Sequence, residues 1–427
     1  MKKSIILIII VLVYGCMPAD RNNEVTFSLV NKTDLPRADE PVLLTRNILE
    51  AHSSEWPEGM EPVLYDSADN IIPQQHDDLD GDGKWDELAF VIEVPANGEI
   101  NLKIKFSDLS SLPQFEARTN VRFGVKQASG EVETVTEFTL PAENLPRGDN
   151  KVFQMDGPAW ENDLVGYRHY FDGRNTRDLF GKTSRAMVLD EVGLQEGEIA
   201  DTYHVLNDWG RDVLSVGNSL GLGGIGAWYN GDAQRIGVTL NDSTNNVTET
   251  TFKLLVEGPV RSVFAISYND WQLGDAIFDL TNTIEIWAGQ YGFHGKVDFM
   301  DTAPDTLLVG LVNSNNRQPM FPAEPMGDWL PIATHDKQTY ENEYWLGMAL
   351  VVPASRFISC EATGAESPSV STSFNALIDN AENRPFEYYT LSGWELTDEG
   401  FGKRDFFAEF LKQEIEKIDQ PVTIRWR

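Results

Sequence analysis

The chain has 427 residues, 41% of them apolar and 24% charged, which is enough apolar material for a full core and excludes a disordered chain. Lys and Arg number 34 against 67 Asp and Glu, a formal net charge of −33. That balance excludes a general nucleic-acid binder, because phosphate neutralisation needs a cationic face. It leaves room for an anionic small substrate wherever cations are concentrated locally.

At the N-terminus, Lys2 and Lys3 precede an apolar run from Ile5 to Tyr14, closed by Gly15 and Cys16. The run is shorter than the ~20 residues a membrane span needs and has the flanks of a signal segment. Val13-Tyr14-Gly15-Cys16 resembles a bacterial lipobox, with Tyr14 bulkier than usual. Residues 1–16 are therefore expected to be a lipoprotein signal peptide and 17–23 a tether. Cleavage leaves Cys16 lipidated and the protein anchored by lipid alone, in the periplasm or at the outer membrane; ordinary secretion with cleavage nearby is the alternative. Only Cys360 remains after Cys16, so no intramolecular disulfide is expected.

Strand signals follow. Val25–Leu29 and Ile100–Phe106 are short, rich in β-branched and aromatic residues, and bounded by turn formers, which predicts a small β-sandwich over 24–110. Within it, Asp78-Leu79-Asp80-Gly81-Asp82-Gly83-Lys84-Trp85-Asp86-Glu87 reads D-x-D-x-D-G-x-x-D-E. Alternating carboxylates in a tight loop converge on a hard cation, and this predicts a structural Ca²⁺ held by Asp78, Asp80, Asp82, the Lys84 carbonyl and Asp86. The twelfth position is Ala89, so the loop is not a full EF-hand. A solvated acidic hairpin is the alternative.

After a Ser/Pro-bearing break at 108–116, residues 117–427 are expected to form one large sandwich. Between Gly166 and Arg185, Arg168, Arg174, Arg177, Lys182 and Arg185 face only Asp172 and Asp178, a local reversal of sign. Arginine forks suit carboxylates and sulfates; internal Arg–Asp pairs bracing a loop are the competing reading. Next come His204, one of six histidines, then Trp209, Arg211 and a glycine run to Gly224. Trp209 suits a sugar face. The glycines lack the Gly-Lys-Ser/Thr of a phosphate loop and suit close backbone approach in a sheet. His294 and His335 are weaker candidates. Val260–Tyr268 and Thr281–Trp287 read as strands, the latter with Ile284 and Ile286 on one face. Asp405–Ile418 reads as a helix with Phe407, Phe410, Leu411 and Ile418 on one face. No internal repeat of propeller length is present. The pattern is all-β and mainly antiparallel.

The blocks Tyr167–Lys182 and His204–Gly224, with Leu346-Gly347-Met348-Ala349 and Tyr388–Trp394, resemble a family of lipoproteins encoded in polysaccharide-utilisation loci, much of it known only as a domain of unknown function. The resemblance covers most of 150–427. It implies a galactose-mutarotase-like β-supersandwich. One branch of the family is an oligosaccharide dehydratase of ulvan breakdown, which removes water from a non-reducing-end uronic acid and leaves a 4,5-unsaturated sugar. The residues suit that chemistry. A base must take the C5 proton, an acid must assist the 4-hydroxyl, and cations must neutralise the carboxylate. His204 is the expected base with Lys182 as alternative, and Tyr170 the expected acid. Arg168, Asp172, Arg174, Trp209, Arg211 and His294 are the expected substrate contacts. The alternatives are a two-carboxylate hydrolase drawing on Asp172, Asp208, Asp212 or Glu285, and a non-catalytic glycan-binding lipoprotein.

Overall fold

The expected strands form where β-branched and aromatic residues alternate. In the computed structural model, which describes residues 24–53, 56–146, 151–238 and 244–427, they run Glu24–Val30, Glu99–Ser107, Arg261–Leu273 and Ala276–Trp287. Cys16, the signal segment and the tether lie outside the described residues. Ile284 and Ile286 are fully buried on one face, as their spacing predicts. Trp287 points the other way and is buried too, because Leu43, Ala89 and Val91 of the N-terminal unit cover it.

The N-terminal unit is a two-layer sandwich. A four-stranded sheet ordered Thr423–Trp426, Glu24–Val30, Glu99–Ser107, Glu61–Asp66 faces a three-stranded sheet ordered Arg37–Thr45, Glu87–Val94, Gln74–Asp77. Phe27, Leu44, Leu64, Phe90 and Ile104 fill the space between. The expected boundaries of 24–110 and 117–427 are incomplete, because the last strand of the chain pairs with the first, Phe27 opposite Trp426 and Leu29 opposite Ile424. An open sheet edge needs a partner, and the chain's end supplies one.

The larger unit packs an eight-stranded antiparallel sheet against two five-stranded sheets lying side by side. One continuous core joins them, from Trp160, Tyr167 and Leu179 to Phe264, Ile284 and Leu350. The two five-stranded sheets meet where Arg177 bridges to Gly221. Gly221 has φ +73, and a Cβ there would lie 1.7 Å from the Arg177 carbonyl oxygen, so this junction requires glycine. The fold is all-β, as its pattern predicts. The helix Arg404–Asp419 lays Phe407, Leu411 and Ile415 on the outer face of the eight-stranded sheet, against Ala333, Ala349 and Val351. Arg261 joins the two units by reaching Asp77 at 3.0 Å, Glu87 at 2.6 Å and Glu285 at 2.6 Å.

Trp426 stacks on His52 at 4.2 Å and tilts on Phe27 at 5.1 Å. Trp426→Ala is expected to cost about 1–3 kcal/mol, and deletion of 423–427 more, as a lowered urea midpoint. Unchanged midpoints would show that the C-terminal strand is dispensable.

Candidate functional site

The site grows from one face of the five-stranded sheet ordered Gly210–Asp212, Arg177–Lys182, Val165–His169, Ala159–Asn162, Thr119–Arg122. Side chains alternate across a strand, so Val165, Tyr167 and Leu179 enter the main core while Arg168, Asp178, Phe180 and Lys182 project from the opposite face. Arg168 pairs in register with Asp178, and Phe180 with Asp212. The chain between Lys182 and Gly210 folds back as a roof, packing Leu189, Val192 and Tyr203 onto Phe180, Ala159 and Met155. This second layer removes the face from water.

Arg168 is fully buried beneath it. Its guanidinium meets Asp212 Oδ2 at 2.6 Å, Asp156 Oδ2 at 3.5 Å and Asp178, and donates to the Tyr170 hydroxyl at 2.6 Å. The Tyr170 hydroxyl donates in turn to Asp178 at 3.1 Å. Burial and the adjacent Asp212 charge raise the Asp178 carboxyl, and burial holds the Tyr170 hydroxyl well above its usual range. Tyr170, the expected acid, is 8% exposed and its hydroxyl is taken up between Arg168 and Asp178. Arg168 is a brace rather than a substrate contact, because three carboxylates already occupy its fork. Lys182 is sealed against Glu161 and the Asn162 carbonyl, 2% exposed, so it cannot serve as the alternative base. Arg177 is likewise spent inside, on the Gly223 carbonyl, Tyr388 and Asn282.

His204 is a titratable group that this centre presents outward. It ends the short helical turn Thr202–His204, its side chain is 41% exposed, and Nδ1 stands 3.3 Å from Asp212 Oδ2, the atom that also receives Arg168. That contact raises the His204 pKa above its usual 6.5, against the opposing effect of burial. Arg174 packs on Tyr170, its guanidinium 4.0 Å from the ring centre and 2.7 Å from Asp172. About a third of its side chain is exposed. Asp172 therefore positions Arg174, accepting its backbone N–H as well. On the other flank, Arg211 gives Nε to the Asp212 carbonyl at 3.1 Å and Nη1 to Glu343 at 3.3 Å.

Two expected contacts fall elsewhere. Trp209 packs edge-on to Phe180 and borders a separate hollow of about 270 Å³ with Met187, Val188 and Asn207. His294 sits on the outer face of the eight-stranded sheet, between Glu285 at 3.2 Å and Glu387 at 3.5 Å and stacked on Tyr389. Those two carboxylates overcome burial and raise it to about 9. It lines a cavity of about 230 Å³ between the N-terminal sandwich and the helix Arg404–Asp419, apart from His204.

Three members of the site carry no motif. Asp156 and its neighbour Met155 both adopt left-handed backbone, φ 61 and 53, a conformation rare outside glycine and concentrated at functional sites. Tyr203 donates from the roof to Asp156 at 3.2 Å. Tyr340 arrives from a distant turn, its ring 6.1 Å from His204.

Residues 29–424 match a sequence family described as a domain of unknown function, DUF4861. The chain belongs to the DUF4861 family. A relative, the uncharacterised protein P7 of Formosa agariphila, is 23% identical over 426 residues, covering 96% of this chain and 95% of its own. Among solved structures, an α-mannosidase of Enterococcus faecalis V583 superposes with a TM-score of 0.48 at 9% identity, over 95% of this chain and 46% of that one. A glycosyl hydrolase family 38 protein from Enterococcus faecalis gives 0.48 at 10%, over 95% and 47%. This DUF4861 chain spans about half the length of those two structures, and similarity at that level does not reach substrate or activity.

Arg168→Ala leaves buried carboxylates without their cation and is expected to destabilise this DUF4861 protein by about 3–5 kcal/mol. Urea unfolding measures it. A stable variant that merely binds ligand less well would instead make Arg168 a substrate contact.

Proposed function

We propose that this protein is a carbohydrate-active lyase that removes water from a non-reducing-end uronic acid of anionic oligosaccharides such as ulvan fragments. The observation that carries this reading is the half-exposed His204 ring held on buried Asp212, with Arg211 bonded to the Asp212 carbonyl and Arg174 packed on the Tyr170 ring. Asp212 engages Nδ1, so Nε2 is the nitrogen available to a substrate. In the proposed step Nε2 takes the C5 proton. The C5–H electron pair becomes the C4=C5 bond, the C4–O bond breaks, and the hydroxide leaves as water with the proton that His204 returns. A raised pKa suits a group that must both take and return that proton. A cation on the uronate carboxylate spreads the charge that develops at C5. Arg174 and Arg211 are the cations placed for this, in the stead of Arg168. Two-carboxylate hydrolysis has less support, because of its four carboxylates Asp212, Asp172 and Glu285 are each committed to a cation, which leaves Asp208 without a second carboxylate free to pair with it.

The reading extends to location and metal. The lipobox-like Val13–Cys16 supports lipid anchoring in the periplasm or outer membrane, with no nucleic-acid partner. In the acidic loop, carboxylate oxygens of Asp78, Asp80 and Asp86 lie within 4.8 Å of one another, a spacing that suits Ca²⁺. Gly81 and Gly83 turn the loop at φ 76 and 86. Asp82 stands outside that triad, its carboxylate accepting the Lys84 N–H at 2.8 Å. Chelation is expected to lower the melting temperature by several degrees, and Asp80→Ala to remove the sensitivity. Melting curves that ignore chelator would dismiss the metal.

The chemistry is tested by product. Dehydration gives the ultraviolet absorbance of an unsaturated uronate with no new reducing ends. His204→Ala is expected to lower kcat by at least about 100-fold while leaving binding nearly intact. Because the base must be neutral, kcat/KM should rise with pH through a limb above 6.5, the side to which Asp212 shifts His204. Asp212→Asn should move that limb down. New reducing ends without absorbance would favour hydrolysis, and a fully active His204→Ala would refute the mechanism.

A further inference from the structure

We infer that Tyr340 is the stacking platform of this site and holds the terminal uronate ring between the His204 imidazole and the Arg211 guanidinium. The inference deepens the dehydration reading and rests on it for the substrate class. Three observations carry it.

The first is placement. Tyr340 is 40% exposed. The His204 ring lies 6.1 Å from it at an interplanar angle of 28°, and the Arg211 guanidinium carbon lies 6.0 Å from the same ring. The imidazole and the largely buried Arg211 guanidinium thus both come within about 6 Å of one partly exposed aromatic ring. Abstraction of a proton next to a carboxylate needs both groups on one sugar, the base at C5 and the cation at the carboxylate. A pyranose face rich in C–H bonds packs on an aromatic ring, while polar groups at the edges fix its orientation.

The second is rigidity. The turn carrying Tyr340 is pinned by its own N–H to the Val213 carbonyl at 2.9 Å, by Asn342 N–H to the Thr339 carbonyl at 2.9 Å, and by Tyr344 N–H to Thr339 Oγ1 at 2.9 Å. Glu341 and Asn342 are successive left-handed residues, φ 61 and 55. Backbone strain of this kind persists where the surroundings over-determine it and gathers at functional sites. Val213 directly follows Asp212, so the platform is fixed to the strand that orients His204.

The third is the state of Arg211. Its carboxylate partner, Glu343, is a half-exposed side chain of the same turn at 3.3 Å. An incoming uronate carboxylate can exchange with it without leaving a buried charge behind, which the sealed Arg168 and Lys182 pairs do not allow. Exposed Val205 and Leu206, 69% and 41%, add apolar surface next to His204. Trp209, the aromatic that the sequence offers for this task, faces a hollow that neither His204 nor Arg211 lines.

The test uses a disaccharide with a non-reducing-end glucuronate. Its affinity is measured by calorimetry on the full chain carrying His204→Ala, alone and combined with Tyr340→Ala or Tyr340→Phe. Wild-type and Tyr340→Ala KM values give a second measure. Tyr340→Ala is expected to weaken binding and raise KM about tenfold. Tyr340→Phe should stay within about twofold, because the ring and not the hydroxyl is used. Melting temperatures should not move. Unchanged affinity and KM in Tyr340→Ala would overturn the platform, as would an equal loss in Tyr340→Phe. The two readings fail separately. Tyr340-dependent binding with no unsaturated product from wild type keeps the platform and removes the dehydration. Unsaturated product at an unchanged KM in Tyr340→Ala does the reverse.

Discussion

A single guanidinium among three carboxylates organises the candidate site of this protein. Arg168 projects from a sheet face that would otherwise meet solvent, and Asp178, Asp212 and Asp156 close around it. A buried ion cluster contributes little net stability, but breaking it is costly, so it fixes which arrangement the surrounding chain adopts. The roof between Lys182 and Gly210 is part of that arrangement. Without Tyr203, Leu189 and Val192 above it, the cluster would be hydrated and the side chains at its edge would have no fixed geometry.

Sharing of one oxygen is what converts this brace into a site. Asp212 Oδ2 receives Arg168 on its buried side and His204 on its open side. The arginine holds the Asp212 carboxylate in place, and Asp212 fixes which ring nitrogen of His204 is occupied. Proton affinity at the surface is thus set by a charge held in the interior. The same division sorts the cations. Arg168, Arg177 and Lys182 are consumed by interior partners. Arg174 and Arg211 keep partners near the surface, Asp172 and Glu343, from which a ligand can compete them.

The rest of the molecule is a frame for that face. The C-terminal strand closes the N-terminal sheet, and Arg261 ties both units through Asp77 and Glu87, the residues that bracket the acidic loop. His294 belongs to this junction. Its charge is held by Glu285 and Glu387, and Glu285 is also the partner of Arg261.

Much of this was legible in the chain. Alternation at Thr281–Trp287, the apolar stripe on the C-terminal helix and the scarcity of other helical patterns determined an all-β fold, because side-chain period reports which faces are buried. The reversal of charge between Gly166 and Arg185 and the presence of His204 near Arg211 pointed to residues that the fold does gather around Arg168 and Asp212, since charge density and residue type are local properties. The tertiary structure alone decided which of those residues are sealed inside and which reach the surface. Burial depends on the second layer over a face, and no periodicity within Val165–His169 records that a distant roof covers Arg168 and Tyr170. Tyr340 is more than a hundred residues from His204, and only the turn pinned to Val213 brings their rings together. His294 looked equivalent to His204 by type. It went to the other side of the sandwich because neighbouring antiparallel strands, not sequence proximity, set its surroundings, Glu285 and Tyr389 standing directly opposite it in register.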